Sequence, residues 1–125
     1  MLSSTFNNGF TLLELLVVLA IIGILAATLT PNVIRARDVA IDRAADAYAR
    51  DVYMLAHAHL ARSVNNTLEE DSCLEGYTVG GLTVNAPGNM VASCELTLTE
   101  QGSPVITYRP NIAGSGEKTM PRNAE

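Results

Sequence analysis

The stretch GFTLLELLVVLAIIGILAATLTP, from Gly9 to Pro31, decides the fold of this chain. Between Phe10 and Leu29 its only ionisable side chain is that of Glu14. A helix of about 20 residues rises roughly 30 Å, which matches the thickness of the hydrocarbon layer of a membrane. The sequence therefore predicts a long N-terminal helix that can cross a bilayer and that carries one carboxylate near its start.

The residues around this apolar stretch do not form an ordinary secretory signal. Such a signal has a basic start, a shorter apolar core and a cleavage site of small residues after that core. Here the residues before Gly9 carry no charged side chain, and the glycine precedes the apolar core. We therefore expect the apolar helix to remain on the mature protein.

Glu14 needs a positively charged partner in this setting. An acidic side chain deep in a transmembrane helix costs about 2.5 to 3.5 kcal/mol on insertion scales, and less near the interface. The nearest basic residue is Arg35, too far along the helix to reach the carboxylate. A cut between Gly9 and Phe10 would create an α-amino group, and between neighbouring helices this amine could meet Glu14 of another subunit.

The N-terminus resembles that of bacterial type IV pilins and of the related pseudopilins of type II secretion. The resemblance lies in a short leader that ends at Gly9, the following FTLLELL and an apolar helix broken at Pro31, and it covers about residues 8–45. It implies that a membrane prepilin peptidase cuts after Gly9 and methylates the amine of Phe10. It also implies that Glu14 neutralises this amine across subunits during assembly.

The resemblance carries further expectations about structure and location. It implies loss of helical order between Gly23 and Pro31 in assembled pili. It places the chain first in the inner membrane and then, through the pilus assembly machinery, in an extracellular homopolymer that supports adhesion, twitching motility or DNA uptake. Arg35 and Arg37 oppose this orientation, because basic residues favour the cytoplasmic side. The motif and the cysteines favour export of the C-terminal part.

Three alternatives remain open. The chain could be a periplasmic pseudopilin of type II secretion or a minor pilin. It could also be a single-pass membrane protein whose outer domain binds a ligand, although this alternative leaves the coincidence of Gly9, Phe10 and Glu14 unexplained.

The predicted fold class is α+β: a long N-terminal helix, kinked near Pro31, packed against a small antiparallel sheet of three or four strands. Proline lacks an N–H and crowds the preceding turn, so the helix should bend or loosen there. The segments we expect are a leader, an apolar helix for membrane insertion and polymerisation, an amphipathic helix, a small β domain with a disulfide, and a mobile C-terminal tail. They cover residues 1–9, 10–31, 32–66, 67–110 and 111–125.

After Pro31 the helix becomes amphipathic. One stripe at 3.6 residues per turn is apolar and should face the sheet; it comprises Ile34, Ile41, Ala44, Ala45, Tyr48, Val52 and Leu55. Charged residues occupy the opposite side, where Asp46 and Arg50 have a favourable i,i+4 spacing. This charged side is either solvated or in contact with neighbouring subunits. Beyond Val52, the side chains of Tyr53, Met54, Leu60 and Val64 also need cover.

The C-terminal part has the pattern of short strands. GYTVGGLTVNA predicts two runs around Gly80 and Gly81, ASCELTLTE alternates, and PVITY is a last strand between prolines. The following residues, from Asn111, should be mobile or cap the sheet edge.

Cys73 and Cys94 are the only cysteines, and an even count in an exported chain suits a disulfide, with two buried free thiols as the alternative. A bridge would close a loop of about 20 residues and stabilise the domain by roughly 3 kcal/mol.

Other functions find little support in the sequence. With 13 acidic and 8 basic residues the net charge is −5, which argues against a broad nucleic-acid-binding surface. His57 and His59 stand at i,i+2 on the predicted helix and point in different directions, so they cannot hold one metal ion. The acidic run Glu69 to Asp71 lacks the spaced carbonyl groups of a calcium loop. No catalytic pattern is present, so we expect neither an enzyme nor a cofactor.

Overall fold

The computed structural model describes residues 10–122 of the chain. One α-helix, α1 (Leu12–Arg62), is followed by six strands and a short 3-10 helix, Gly88–Met90. The strands are β1 (Asp71–Ser72), β2 (Gly76–Val79), β3 (Leu82–Asn85), β4 (Val91–Leu98), β5 (Pro104–Pro110) and β6 (Lys118–Met120). The chain divides into two compact units, residues 1–36 and 37–125. The α+β class predicted from the sequence is confirmed.

Helix α1 spans 51 residues and includes Pro31 without interruption. The predicted break of the helix at this proline is therefore wrong for the isolated chain, although a bend there remains a prediction. Two hydroxyls before the proline bond to the backbone of their own helix. Thr28 donates to the carbonyl of Leu25 at 2.9 Å, and Thr30 to that of Ala26 at 2.7 Å. Such bonds keep the polar hydroxyls satisfied inside an apolar helix.

The main sheet has the strand order β1-β4-β5-β6, and all its neighbours are antiparallel. In its central pair, Cys94 lies opposite Tyr108 and Leu96 opposite Ile106. All four of these side chains are buried. Strands β2 and β3 form a separate hairpin around Gly80 and Gly81, both with positive φ. Glycine tolerates this left-handed backbone, so the two glycines explain why the predicted turn forms there.

The core of the second unit lies between α1 and the inner face of the sheet. The helix contributes five buried residues: Ala45, Tyr48, Ala49, Val52 and Ala56. The predicted stripe is confirmed for Ala45, Tyr48 and Val52, while Ile41, Ala44 and Leu55 are half-buried. Ile34, which the same stripe included, is 56% exposed. Small alanines at the contact let the helix and the sheet approach closely.

The distal residues of the helix meet different environments. Tyr53 and Leu60 pack against the edge of the core, whereas Met54 is 61% exposed. Val64 lies beyond the end of the helix at Arg62 and is fully exposed. The apolar side chains of the distal helix that were predicted to need cover are therefore only partly covered by the rest of the domain.

The C-terminal segment departs from the expected mobile tail. Residues Lys118–Met120 form β6, which pairs with β5, so PVITY is not the last strand. Met120 lies opposite Ile106 and is buried. Of the two expectations stated for this segment, capping of the sheet edge agrees with the structure. A three-residue strand gives too short a pattern to be recognised in a sequence, which is why it was missed.

Candidate assembly site

The first turn of α1 holds Glu14 in a reciprocal cap with Thr11. The backbone N–H of Thr11 donates to Oε2 of Glu14 at 2.9 Å, and its hydroxyl donates to the same oxygen at 3.0 Å. The N–H of Glu14 in turn approaches the Thr11 hydroxyl oxygen at 3.2 Å. This is a capping box, in which two otherwise unpaired N–H groups of a helix start are satisfied by side chains. We call Phe10, Thr11 and Glu14 the assembly site.

The assembly site leaves part of the carboxylate free. Within residues 10–122, Oε1 of Glu14 accepts no hydrogen bond, whereas Oε2 accepts two. Phe10 directly precedes Thr11 and is 73% exposed. Gly9, the other half of the expected cleavage site, lies outside the described residues. Within the described residues, Oε1 of Glu14 is therefore available to a further hydrogen-bond donor.

The apolar part of the helix is uncovered in the isolated chain. By length and composition, α1 is apolar enough to cross a membrane, and the relevant window is 0% buried. Gly23 has nothing within 4 Å of the position where a Cβ would stand. Many large apolar side chains are more than 40% exposed, among them Leu13, Leu16, Leu19, Ile22 and Leu25. Such a surface needs lipid or other helices to cover it.

A disulfide joins Cys73 to Cys94, and both residues are buried. Their Cα atoms lie 5.0 Å apart. The backbone N–H of Cys73 also donates to the carbonyl of Cys94 at 3.1 Å. The hydroxyl of Tyr48 donates to the carbonyl of Cys73 at 2.6 Å in a buried contact. The bridge thus fixes the segment between β1 and β2 to β4, and Tyr48 connects the same segment to the helix.

A polar cluster that the sequence did not predict lies on the helix beside β5 and β6. It comprises Asp42, Asp46, Tyr108, Lys118 and Arg122, and we call it the Asp46 cluster. Asp46 accepts from the Tyr108 hydroxyl at 2.8 Å and from Lys118 at 3.1 Å, and it also contacts Arg122. Lys118 donates to Asp42 at 2.6 Å.

The Asp46 cluster replaces the pair predicted between Asp46 and Arg50. Arg50 is exposed, whereas the Asp46 side chain is only 17% exposed beneath the C-terminal segment. A side chain held by three donors from the sheet side is not available to a residue one turn along the helix. The expectation that Asp46 faces solvent or a neighbouring subunit is therefore wrong.

The Asp46 cluster shifts the pKa values of its members. Burial is the largest single influence on the pKa of Asp46 and acts to raise it, but the hydrogen bonds from Tyr108 and Lys118 and the nearby positive charges outweigh it. The pKa of Asp46 is therefore lowered. For Lys118, burial acts to lower the pKa, and the contacts with Asp42 and Asp46 raise it above its ordinary value. Burial first, and then Asp46, raises the pKa of Tyr108.

The two histidines occupy different surroundings. His57 is exposed and makes an edge contact with the ring of Tyr53, with centroids 4.4 Å apart. His59 lies against the β2–β3 turn, where a Cβ on Gly80 would stand 2.6 Å from its Nδ1. In the acidic run, Glu70 accepts a hydrogen bond from the N–H of Leu98 at 3.1 Å. In the part of the chain that the structure describes, no group of three acidic, histidine or cysteine side chains could hold a metal ion.

Comparison with known proteins bears on the N-terminal segment. The family model of the prokaryotic N-terminal methylation motif matches residues 5–30. The N-terminal segment of this chain is therefore similar to the N-terminal segments of prokaryotic prepilins. The type IV wide pilus major component PilA4 of Thermus thermophilus is 58% identical over 44 residues. That match covers 35% of this chain and 34% of PilA4, so the pilin-like similarity spans about a third of the relative's length. No solved structure matches the chain.

Two features of the structure were not among the predictions made from the sequence. Thr11 could have been found, because Thr-x-x-Glu before an apolar run is the pattern of a capping box. The Asp46 cluster gives no such signal. Its contacts join residues 62 to 76 positions apart in the chain, and no local spacing indicates which carboxylate a distant tyrosine or lysine will reach.

Proposed function

We propose that this chain is a prepilin that is cut after Gly9, methylated on the new amine of Phe10 and polymerised through α1 into an extracellular type IV pilus. Its function is structural, and adhesion, twitching motility or DNA uptake belongs to the assembled filament. The observation that carries the proposal is the methylation motif at residues 5–30, together with its similarity to a pilus major component. Its partners are further copies of the chain, a prepilin peptidase and the pilus assembly machinery.

The exposed apolar helix supports this proposal. Its first half has no cover within its own chain, since the span is 0% buried. A bilayer covers such a surface before assembly, and helices of neighbouring subunits cover it afterwards. Both environments exclude water, so the transfer between them keeps the apolar side chains out of solvent.

The geometry of the assembly site supports a role for Glu14 in the transfer. One oxygen is held by Thr11, which orients the carboxylate at the start of the helix. The other oxygen is available to the methylated amine of Phe10 from a neighbouring subunit. An ion pair in a low-dielectric environment gains little net stability because both charges lose water, yet a charge without its partner is strongly unfavourable. The pair therefore favours one axial register over others.

The domain after residue 36 supports export. Its disulfide belongs to an oxidising compartment, and the buried Tyr48–Cys73 contact makes the bridged loop part of the core. The inner membrane holds the chain before assembly in this proposal, and the cell surface holds it afterwards.

A deletion strain complemented with the wild-type gene tests the proposal. Fibres sheared from the cell surface are examined by electron microscopy and by immunoblot, with a Gly9→Val variant as the matched control for processing. We expect fibres that contain the chain from the wild-type gene, and only uncut membrane protein from the variant. Recovery of the wild-type chain in the periplasm, with no surface fibres, would identify a pseudopilin instead.

A further inference from the structure

We propose that Asn65 is an acceptor for an N-linked saccharide. Among the asparagines of the sequence, only Asn65 is followed two positions later by serine or threonine, in the triplet Asn65-Asn66-Thr67. This triplet, with a residue other than proline in the middle, is the acceptor pattern for N-glycosylation of surface loops in exported proteins. The inference rests on the proposed export of the domain.

The triplet lies in a solvent-exposed loop. It follows the end of α1 at Arg62 and precedes β1, and residues 67–70 belong to no helix or strand. Asn65 and Thr67 are exposed, and the preceding Val64 is fully exposed. Leu68 is buried and anchors the loop to the core. The acceptor residues therefore project from the domain, where a membrane-bound transferase can reach them without unfolding the core.

Among the described residues, the side chain of the middle residue of the triplet makes a hydrogen bond, whereas those of the outer two residues make none. Nδ2 of Asn66 donates to the carbonyl of His59 at 2.7 Å, which satisfies a carbonyl in the last turn of the helix. Asn65 is bonded only through its backbone N–H, which donates to the Ser63 hydroxyl at 3.3 Å. Within residues 10–122, neither the amide side chain of Asn65 nor the hydroxyl of Thr67 makes a hydrogen bond. These are the two groups that an acceptor triplet presents.

The transfer is a substitution at a sugar carbon, with a saccharide carried on a lipid diphosphate as the co-reactant. Nδ2 of Asn65 attacks C1 of the saccharide, so an N–C1 bond forms while the bond from C1 to the diphosphate oxygen breaks. The proton lost from Nδ2 passes to a base of the transferase, and the lipid diphosphate leaves. Nothing is oxidised or reduced. The amide nitrogen must be free of other hydrogen bonds to react, as it is here.

Peptide mapping of the protein from its own cells tests the inference. Proteases that cut after Arg62 and Glu69 release a short peptide with the whole triplet and with Ser63 and Thr67 as its only hydroxyl residues. We expect this peptide to carry a saccharide mass that fragment ions place on Asn65. An amidase that removes N-linked saccharides should leave aspartate at that position.

Four variants make the test specific. Asn65→Gln and Thr67→Val should lose the added mass completely, whereas Thr67→Ser and Asn66→Gln should keep it. An unmodified peptide from surface fibres would overturn the inference and leave the proposed function intact. A saccharide on the oxygen of Thr67 or Ser63 would also overturn it. A chain that retains its leader and remains unmodified in the cytoplasmic membrane would overturn both proposals.

Discussion

Glu14 has a hydrogen-bond partner, Thr11, within its own chain. The capping box satisfies one carboxylate oxygen of Glu14 and two backbone N–H groups at the helix start, those of Thr11 and Glu14. A carboxylate that already accepts two hydrogen bonds enters a membrane interface more easily than a bare one. The cap is therefore compatible with the proposed insertion of the helix into a membrane, and it leaves one carboxylate oxygen available for the proposed assembly.

Variants of Glu14 distinguish the effect of the capping box on assembly from the effect of the negative charge. Glu14→Ala removes both, whereas glutamine at N3 can still form a capping box but carries no charge. We therefore expect Glu14→Ala and Glu14→Gln to insert in the membrane, to be cut at Gly9 and to assemble poorly. Thr11→Val loses only the hydroxyl part of the cap and should assemble much closer to wild type.

Immunoblots of the membrane and sheared-fibre pools measure this difference for each variant as the sole subunit. Co-expression with wild-type chain should rescue Glu14→Ala in part. If Glu14→Gln gives normal fibres while Thr11→Val does not, the cap rather than the ion pair governs assembly.

Asp46 should contribute to stability in a pH-dependent way. Its pKa is lowered by its contacts, so its contribution is fully present above the ordinary value of 3.8 and is lost as the pH falls through the folded-state value. The pKa of Lys118 is raised, so its contribution is lost only as the pH rises above 10.5. We expect Asp46→Asn to lower the free energy of unfolding by about 1 kcal/mol near neutral pH, because the cluster is partly exposed.

Thermal unfolding of the full chain in detergent measures this effect. The difference between wild type and Asp46→Asn should shrink as the pH falls from the ordinary value of 3.8 through the lowered pKa of folded Asp46, below which both proteins carry an uncharged side chain at this position. Asp42→Asn is the control, since Asp42 is 40% exposed and has one partner, Lys118, among the described residues. A difference that stays constant from neutral pH to pH 2 would show that ionisation of Asp46 does not matter.

Secondary-structure elements with a repeating residue pattern could be predicted from the sequence, whereas elements whose position depends on distant contacts could not. The apolar run predicts the first half of α1, and the apolar stripe around Tyr48 predicts the buried side of its second half. The alternation of apolar and polar residues predicts β4. Strand β6 was not predicted because three residues show no period, and because its place depends on pairing with β5. Helix α1 continues through Pro31 because the turns before and after it are helical. The conformational preference of the proline alone does not predict this.

Removal of a single oxygen atom tests the contact between the helix and the segment that contains Cys73. Tyr48→Phe removes the hydroxyl that donates to the buried carbonyl of Cys73 and leaves that carbonyl without this partner. We expect a loss of about 1 to 2 kcal/mol in the free energy of unfolding. Tyr53→Phe is the matched control, because the Tyr53 hydroxyl makes no hydrogen bond within residues 10–122. Equal stability of both variants, measured by denaturant unfolding, would contradict the role given to Tyr48.

The two units of the chain differ in how their apolar side chains are covered. The first has an apolar helix that is not covered by its own chain and that, in the proposed function, is covered by lipid or by other subunits. The second has its own core, with a disulfide and the Asp46 cluster that joins its C-terminal segment to the helix. In the proposed function, this second unit stays folded outside the membrane while the helix passes from lipid into a filament. We therefore propose that the helix is kept and that the mature chain begins at Phe10.

The intact mass of the chain recovered from sheared surface fibres tests this claim most directly. We predict a mature chain that has lost residues 1–9 and gained one methyl group, with fragment ions that place the methyl group on the amine of Phe10. The Cys73–Cys94 bridge should appear as a linked pair in the same protein under non-reducing conditions. A mature chain that begins after the apolar run, or one that retains Met1, would contradict the account.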